Sequence, residues 1–241
     1  MSTEADIDAL IAPSPIAVRR QQAQALLDGL HATHFGELPP ALLDPARQSV
    51  LGRRVLARMA MHRVPVLFAP DQERWQAWDS SESWMRWTPS RLQAFTRTLG
   101  ALSLGPALRV IVERQAVLFV RDVLGTDAWR QAQLALAWKG NPPEAIRQMG
   151  AALLHRCGRD AQALLAAIDE RGRIEFIGHA ERRNAELATR LVLAYAQSPA
   201  RPCSKATWLP LSTVGDLLAA EAATDALLLQ AQLATDTETP P

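Results

Sequence analysis

Histidine and cysteine offer this chain its first candidate chemistry. His155 and Cys157 stand two residues apart, and His179 or Cys203 could complete a set of thiolates and imidazoles of the kind that holds zinc. Residues two apart on a helix project in different directions, so the pair makes poor ligand geometry. His31 and His34 could share a helix face, but no carboxylate or thiol lies beside them, which leaves capping or surface roles. The acids of DERGRIE (Asp169, Glu170 and Glu175) fall where a turn is expected and read as solvated. There is no GxGxxG, P-loop, GxSxG, HExxH or kinase-type set. The expectation is a non-enzymatic protein with no catalytic residue, no cofactor and no metal.

Tryptophan is the second candidate. Four of the seven tryptophans, Trp75, Trp78, Trp84 and Trp87, lie within 13 residues, in two pairs spaced i, i+3 that each share a helix face. Aromatics of this size bury a large area and anchor either a core or an interface. Packing onto a central helix is one reading. Partner contact is the other, because Ser80, Ser81 and Ser83 make the middle of the stretch polar and loop-like. Base stacking is disfavoured, since single-strand binding wants a basic groove around its aromatics.

Elements must position these residues, and composition bounds what those elements are. A chain of 241 residues can bury a substantial core without a metal or disulfide. Lysine and arginine total 26 against 25 for the acids, a net charge of +1 that gives no reason to expect nucleic acid as partner. Two cysteines with no CxxC spacing argue against a secreted disulfide framework. The opening MSTEADIDALIAPSP lacks the basic and apolar blocks of a signal peptide, so a cytoplasmic location is expected.

The periodicity predicts an all-α, irregular multi-helix bundle around a buried central helix at about 106–124. Leu108, Ile111, Leu118 and Phe119 should be its buried residues. Gly105 would end the helix before it, which Thr88 and Pro89 open, and Pro106 would occupy its first turn. A direct membrane span is excluded by Arg109, Glu113, Arg114, Arg121 and Asp122, which interrupt the apolar run. A helix from about Pro45 to His62 carries Val50, Leu51, Val55, Leu56 and Met59. Thr126 or Asp127 caps a helix bearing Trp129 and Trp138, and Pro142 and Pro143 open the next. A short helix over Ala161–Asp169 should turn at Glu170–Gly172, and a long one should run from about His179 to Gln197. A last helix is expected over Ser212–Leu233. The domain reading is a flexible arm over 1–13, one helical domain over 14–234 and a disordered tail over 235–241.

The order Leu99-Gly100, Leu104-Gly105, Leu108, a long apolar stretch, Leu124-Gly125 and then Trp129 forms a pattern. It resembles the middle of the K subunits of bacterial type III secretion systems, the SctK family, which includes the OrgA, MxiK, PscK and Hrp-type proteins. The family's His-Pro step followed by Leu corresponds to His34, Pro39, Pro40 and Leu42, with His34 and Pro39 separated in this chain. The resemblance implies a structural adaptor of the cytoplasmic sorting platform, peripheral to the inner-membrane apparatus. K subunits link the cytosolic domain of the ring D subunit to the pod Q subunit, and so help place the stator L subunit and the export ATPase. Two other readings stand beside it: a helical chaperone or regulator of export substrates, and a helical enzyme whose site is scattered in sequence. A deep pocket of convergent titratable groups would mark an enzyme, and apolar surface patches an adaptor.

Overall fold

The computed structural model describes residues 27–36, 38–63, 84, 87–133, 138, 142–196 and 207–237. Among them every regular element is helical: a 3₁₀ turn (Ala32–Phe35), α1 (Pro40–Gln48), α2 (Val50–Arg63), α3 (Pro89–Leu108), α4 (Arg114–Leu124), α5 (Thr126–Gln133), α6 (Glu144–Cys157), α7 (Ala161–Arg183), α8 (Ala185–Leu193) and α9 (Leu211–Thr237). The all-α class is as the periodicity requires. Two compact units stand where the sequence reading drew one domain over 14–234. The first comprises Met1–Ser81 with Val192–Ser198, and the second Glu82–Leu191 with Pro199–Pro241. The expected arm over 1–13 lies outside the described residues.

In the first unit, Leu27, Leu30, Phe35, Leu43, Leu56 and Ala60 are buried. The returning segment is tied in by backbone polar groups: the His31 N–H donates to Leu193 O at 2.9 Å, and His34 Nε2 to Tyr195 O at 2.9 Å. Ser49 separates α1 from α2 and caps the latter, its Oγ accepting the Gly52 N–H at 2.9 Å. The apolar stripe expected on α2 is only partly inward. Leu56 is buried and Met59 half-buried, while Val50, Leu51 and Val55 face outward.

The second unit is organised by α3. Thr88 caps it, with Oγ1 accepting the Arg91 N–H at 3.3 Å, and every residue from Leu99 to Leu108 is buried. A helix covered all round needs helices on every side. The buried central helix is therefore Pro89–Leu108, and the expected rod over 106–124 is corrected. Gly105 and Pro106 do not break the chain. Proline at 106 removes the N–H that would bond to Leu102 O, and the indole Nε1–H of Trp138 supplies that carbonyl instead at 3.2 Å. The break comes at 109–113, where Arg109, Glu113 and Arg114 would be costly to bury, and Val112 is 95% exposed. Leu108 is fully buried, but Ile111, Leu118 and Phe119 are half-buried; α4 buries Val120 and Leu124 fully, and Ile111, Phe119 and Val123 pack on the edge of the same core.

Helix α7 is continuous through the expected turn at Glu170–Gly172 and ends at Arg183, so the predicted helix over His179–Gln197 is divided between α7 and α8 at Asn184. Gly172 explains the continuity. A Cβ there would penetrate the carbonyl of Thr96 on α3, and one on Gly100 would penetrate the carbonyl of Ile168 on α7. The two glycines are the contact surface of a backbone-to-backbone crossing, which a turn would destroy. Farther along α3, a Cβ on Gly105 would stand 2.6 Å from Ala132 O of α5. Helix α9 begins at Leu211 and runs to Thr237, so residues 235–237 of the expected tail are helical and 238–241 lie outside the described residues. Gly172→Ala should lower stability by about 1–3 kcal/mol, read as a reduced midpoint in urea with an unchanged slope. An unchanged midpoint would disprove the close crossing.

Candidate functional site

Trp84 and Trp87 sit at the N-terminal end of α3, and both are core: they are 3% and 7% exposed. Phe95 of α3 and Phe176 of α7 complete the cluster. Edge-to-face contacts run from Trp84 to Phe176 at 5.3 Å, Phe176 to Phe95 at 5.1 Å, and Phe95 to Trp87 at 5.1 Å. Arg91 stacks over the Trp87 ring at 4.5 Å and pairs with Glu221 of α9 at 2.8 Å. These two tryptophans thus hold α3, α7 and α9 together and offer no free face to a partner. Trp75 and Trp78 lie outside the described residues.

All three acids of DERGRIE are ion-paired, and Glu175 is buried while Asp169 and Glu170 keep partial contact with solvent. Asp169 accepts from Arg97 Nε and Nη2 at 2.9 and 2.8 Å, a bidentate bridge from α7 to α3 that holds the Arg97 guanidinium above its ordinary value. Glu170 pairs with Arg173 at 2.5 Å. Glu175 is 1% exposed and meets Arg171 Nη2 at 2.7 Å, one turn earlier on α7. Its two oxygens also accept the backbone N–H groups of Trp208 and Leu209 at 2.8 and 3.1 Å, just ahead of α9. The Trp208 ring lies over the Arg171 guanidinium at 4.4 Å. Burial pushes the Glu175 carboxyl up and the Arg171 guanidinium down; their mutual attraction opposes both shifts, and the two backbone donors oppose that of Glu175. Each Glu175 oxygen accepts one backbone N–H of the loop, so the pair works as a latch. The sequence hid it because Glu175 reads as one more surface acid until the helix carries it inward.

Beside this latch lies a cleft of about 550 Å³ between α6, α7 and Trp208. Leu153, Ala163, Ala167 and Ile174 make apolar walls, with Arg156 and Cys157 of α6 at its border. Desolvation pushes the Cys157 thiol up, and its Sγ donates to Ala163 O at 3.7 Å. His155 is exposed and His179 buried. Among the described residues no group of three His, Cys, Asp or Glu side chains could hold a metal ion. At His31, burial with His34 and Arg47 nearby holds the imidazole below its ordinary value. Its Nδ1 accepts the Thr33 N–H at 3.3 Å, a capping role. Glu170 and Arg171 of α7 add charged groups to the lining of the cleft.

No family model matches this chain, and neither a curated protein nor a solved structure does.

Two outcomes follow from the packing. Trp84→Ala should cost about 3–5 kcal/mol of stability, measured by chemical denaturation; a change below 1 kcal/mol, on the order of a surface substitution, would remove this residue from the core. Arg171→Met should cost about 3–5 kcal/mol at pH 7 by leaving Glu175 buried without its counter-charge. Losing Arg171 raises the folded-state pKa of Glu175 further, and such a group stabilises below its unfolded value, with that contribution lost as pH rises. The deficit of Arg171→Met should therefore grow between about pH 4 and 7. Adding Glu175→Gln should flatten that dependence. A deficit independent of pH would mean that the carboxyl is not the buried charge involved.

Proposed function

We propose that this chain is a non-enzymatic adaptor of the cytoplasmic sorting platform of a type III secretion system, peripheral to the inner-membrane ring. The observation that carries the reading is the Leu-Gly pattern of residues 99–129 with Trp129 at its end, the stretch that resembles the K subunits. Its physical support is the use to which that pattern is put. Leu99, Leu104 and Leu108 are buried, and Gly100 and Gly105 are the points where neighbouring helices touch α3. A pattern that dictates helix contacts belongs to a scaffold. The all-α architecture fits the same reading, and among the described residues no helix is long and apolar enough to cross a membrane. The partners in this reading are the cytosolic domain of the ring D subunit and the pod Q subunit, and through them the stator L subunit and the export ATPase.

The test is co-expression of the tagged full chain with the ring D subunit's cytosolic domain and the pod Q subunit from the same genome. Both should copurify with it in one complex that survives gel filtration. Recovery of neither would overturn the proposal, and stoichiometric retention of an export substrate in their place would favour a chaperone.

A further inference from the structure

Helix α2 carries an unusual outward face. Its fourteen residues, VLGRRVLARMAMHR, include Arg53, Arg54, Arg58, His62 and Arg63 and no acid. Five of the eleven large apolar side chains exposed among the described residues lie on α1 and α2: Leu42 at 53%, Val50 at 62%, Leu51 at 73%, Val55 at 48% and Met61 at 44%. At 100° per residue, Arg54 and Arg58 fall in the middle of the exposed arc. Leu51 and Val55 flank them on one side, Val50 and Met61 on the other, and Leu56 and Ala60 point inward. Arg54 and Arg58 are one turn apart and like-charged, and among the described residues neither makes an ion pair.

We propose that this face binds an acidic amphipathic helix of another protein, one that lays a row of Asp or Glu at i, i+4 against Arg54 and Arg58 and packs apolar side chains on Leu51, Val55, Val50 and Met61. Charge complementarity selects the occupant. A guanidinium pair one turn apart matches carboxylates at the same spacing, and arginine favours bidentate pairing with them. Flanking apolar contacts exclude water from those pairs, the arrangement of a hydrophobic seam with charged edges turned inside out. A lipid surface fits less well. Helices that lie in the bilayer interface keep their cations on the face opposite the apolar one, whereas insertion of this face would carry Arg54 and Arg58 into the acyl layer ahead of their flanks. The inference does not depend on the secretion reading, which names partners but assigns no surface to them.

The experiment places a photo-crosslinking amino acid at Leu51 of the full chain in the cells that make it, with a second probe at exposed Val112 as control, and maps the crosslinked peptide by mass spectrometry. The expected product joins Leu51 to a segment of another protein with acids at i, i+4 and interleaved Leu or Ile, absent from the Val112 probe. Arg54→Glu with Arg58→Glu should reduce its yield at least tenfold, with circular dichroism and melting temperature unchanged, and Arg54→Gln with Arg58→Gln should reduce it less. Changing the mapped acids to Lys should restore the product with the Glu pair. Crosslinks only to lipid, only to this chain's own residues, or to a segment insensitive to charge reversal would each overturn the proposal, as would no crosslink at all. A correct acidic segment in a protein outside the secretion apparatus would sustain this proposal and sink the family reading, so the two failures are distinguishable.

Discussion

The second unit depends on one steric constraint: α3 and α7 cross with their backbones in contact. Side chains normally hold helix axes about 8–10 Å apart, and only hydrogen in place of Cβ at Gly100 and Gly172 lets the carbonyls of Ile168 and Thr96 come as near as they do. Glycine inside a helix costs about 1 kcal/mol against alanine, so two such residues need compensation. It comes from what the close approach allows. Phe95 and Phe176 stack edge to face across the crossing, and Arg97 reaches Asp169 with both arms of its guanidinium. The Asp169 carboxylate is partly exposed, so the bridge contributes orientation more than energy.

The same crossing explains which parts of the fold were legible in the sequence. Apolar periodicity and capping residues located the start of α3 at Thr88 and Pro89 and the body of α9, and placed the start of α6 at Pro142 and Pro143, up to two residues ahead of Glu144. Glycine and proline misled, because their local meaning is ambiguous. Gly105-Pro106 has the chemistry of a helix junction, yet the indole of Trp138, 36 residues away in sequence, takes up the carbonyl that proline leaves bare. Gly172 has the chemistry of a turn and serves as a packing surface. In each case the deciding partner is distant in sequence, where a local reading has no access to it.

Charged residues show the same limit in another form. Asp169, Glu170 and Glu175 are close neighbours in a polar run, and nothing local separates them. Helical geometry does: it aims Asp169 at α3, keeps Glu170 beside Arg173, and rotates Glu175 into the interior against Arg171 and the backbone of Trp208 and Leu209. One signal was available. Arg171 and Glu175 stand at i, i+4, the spacing of a helical ion pair, and a turn at Glu170–Gly172 could not have preserved it. Lys139 and Lys205 are the only lysines among the 26 cations of the sequence, and arginine has a physical use here: Arg97 binds in two-pronged fashion and Arg91 and Arg171 stack on indole rings, which a lysine ammonium does less well.

How the apolar side chains are spent separates the two units. In the second, the leucines of α3 are almost wholly consumed by internal packing, and Trp84 and Trp87, which looked like interface anchors, are buried with them. In the first, α2 spends Leu56 and Ala60 on its core and leaves Val50, Leu51, Val55 and Met61 in water beside Arg54 and Arg58, which make no ion pair among the described residues. Singly exposed apolar residues need no explanation, but several on one short helix face create a patch that water solvates poorly. Periodicity could count those residues and could not say which half of the stripe faces in, because both halves recur at the same interval. The arginines make the distinction. A core cannot accept Arg54 and Arg58 without their counter-charges, so the arc that contains them must face outward, and it takes its apolar neighbours with it.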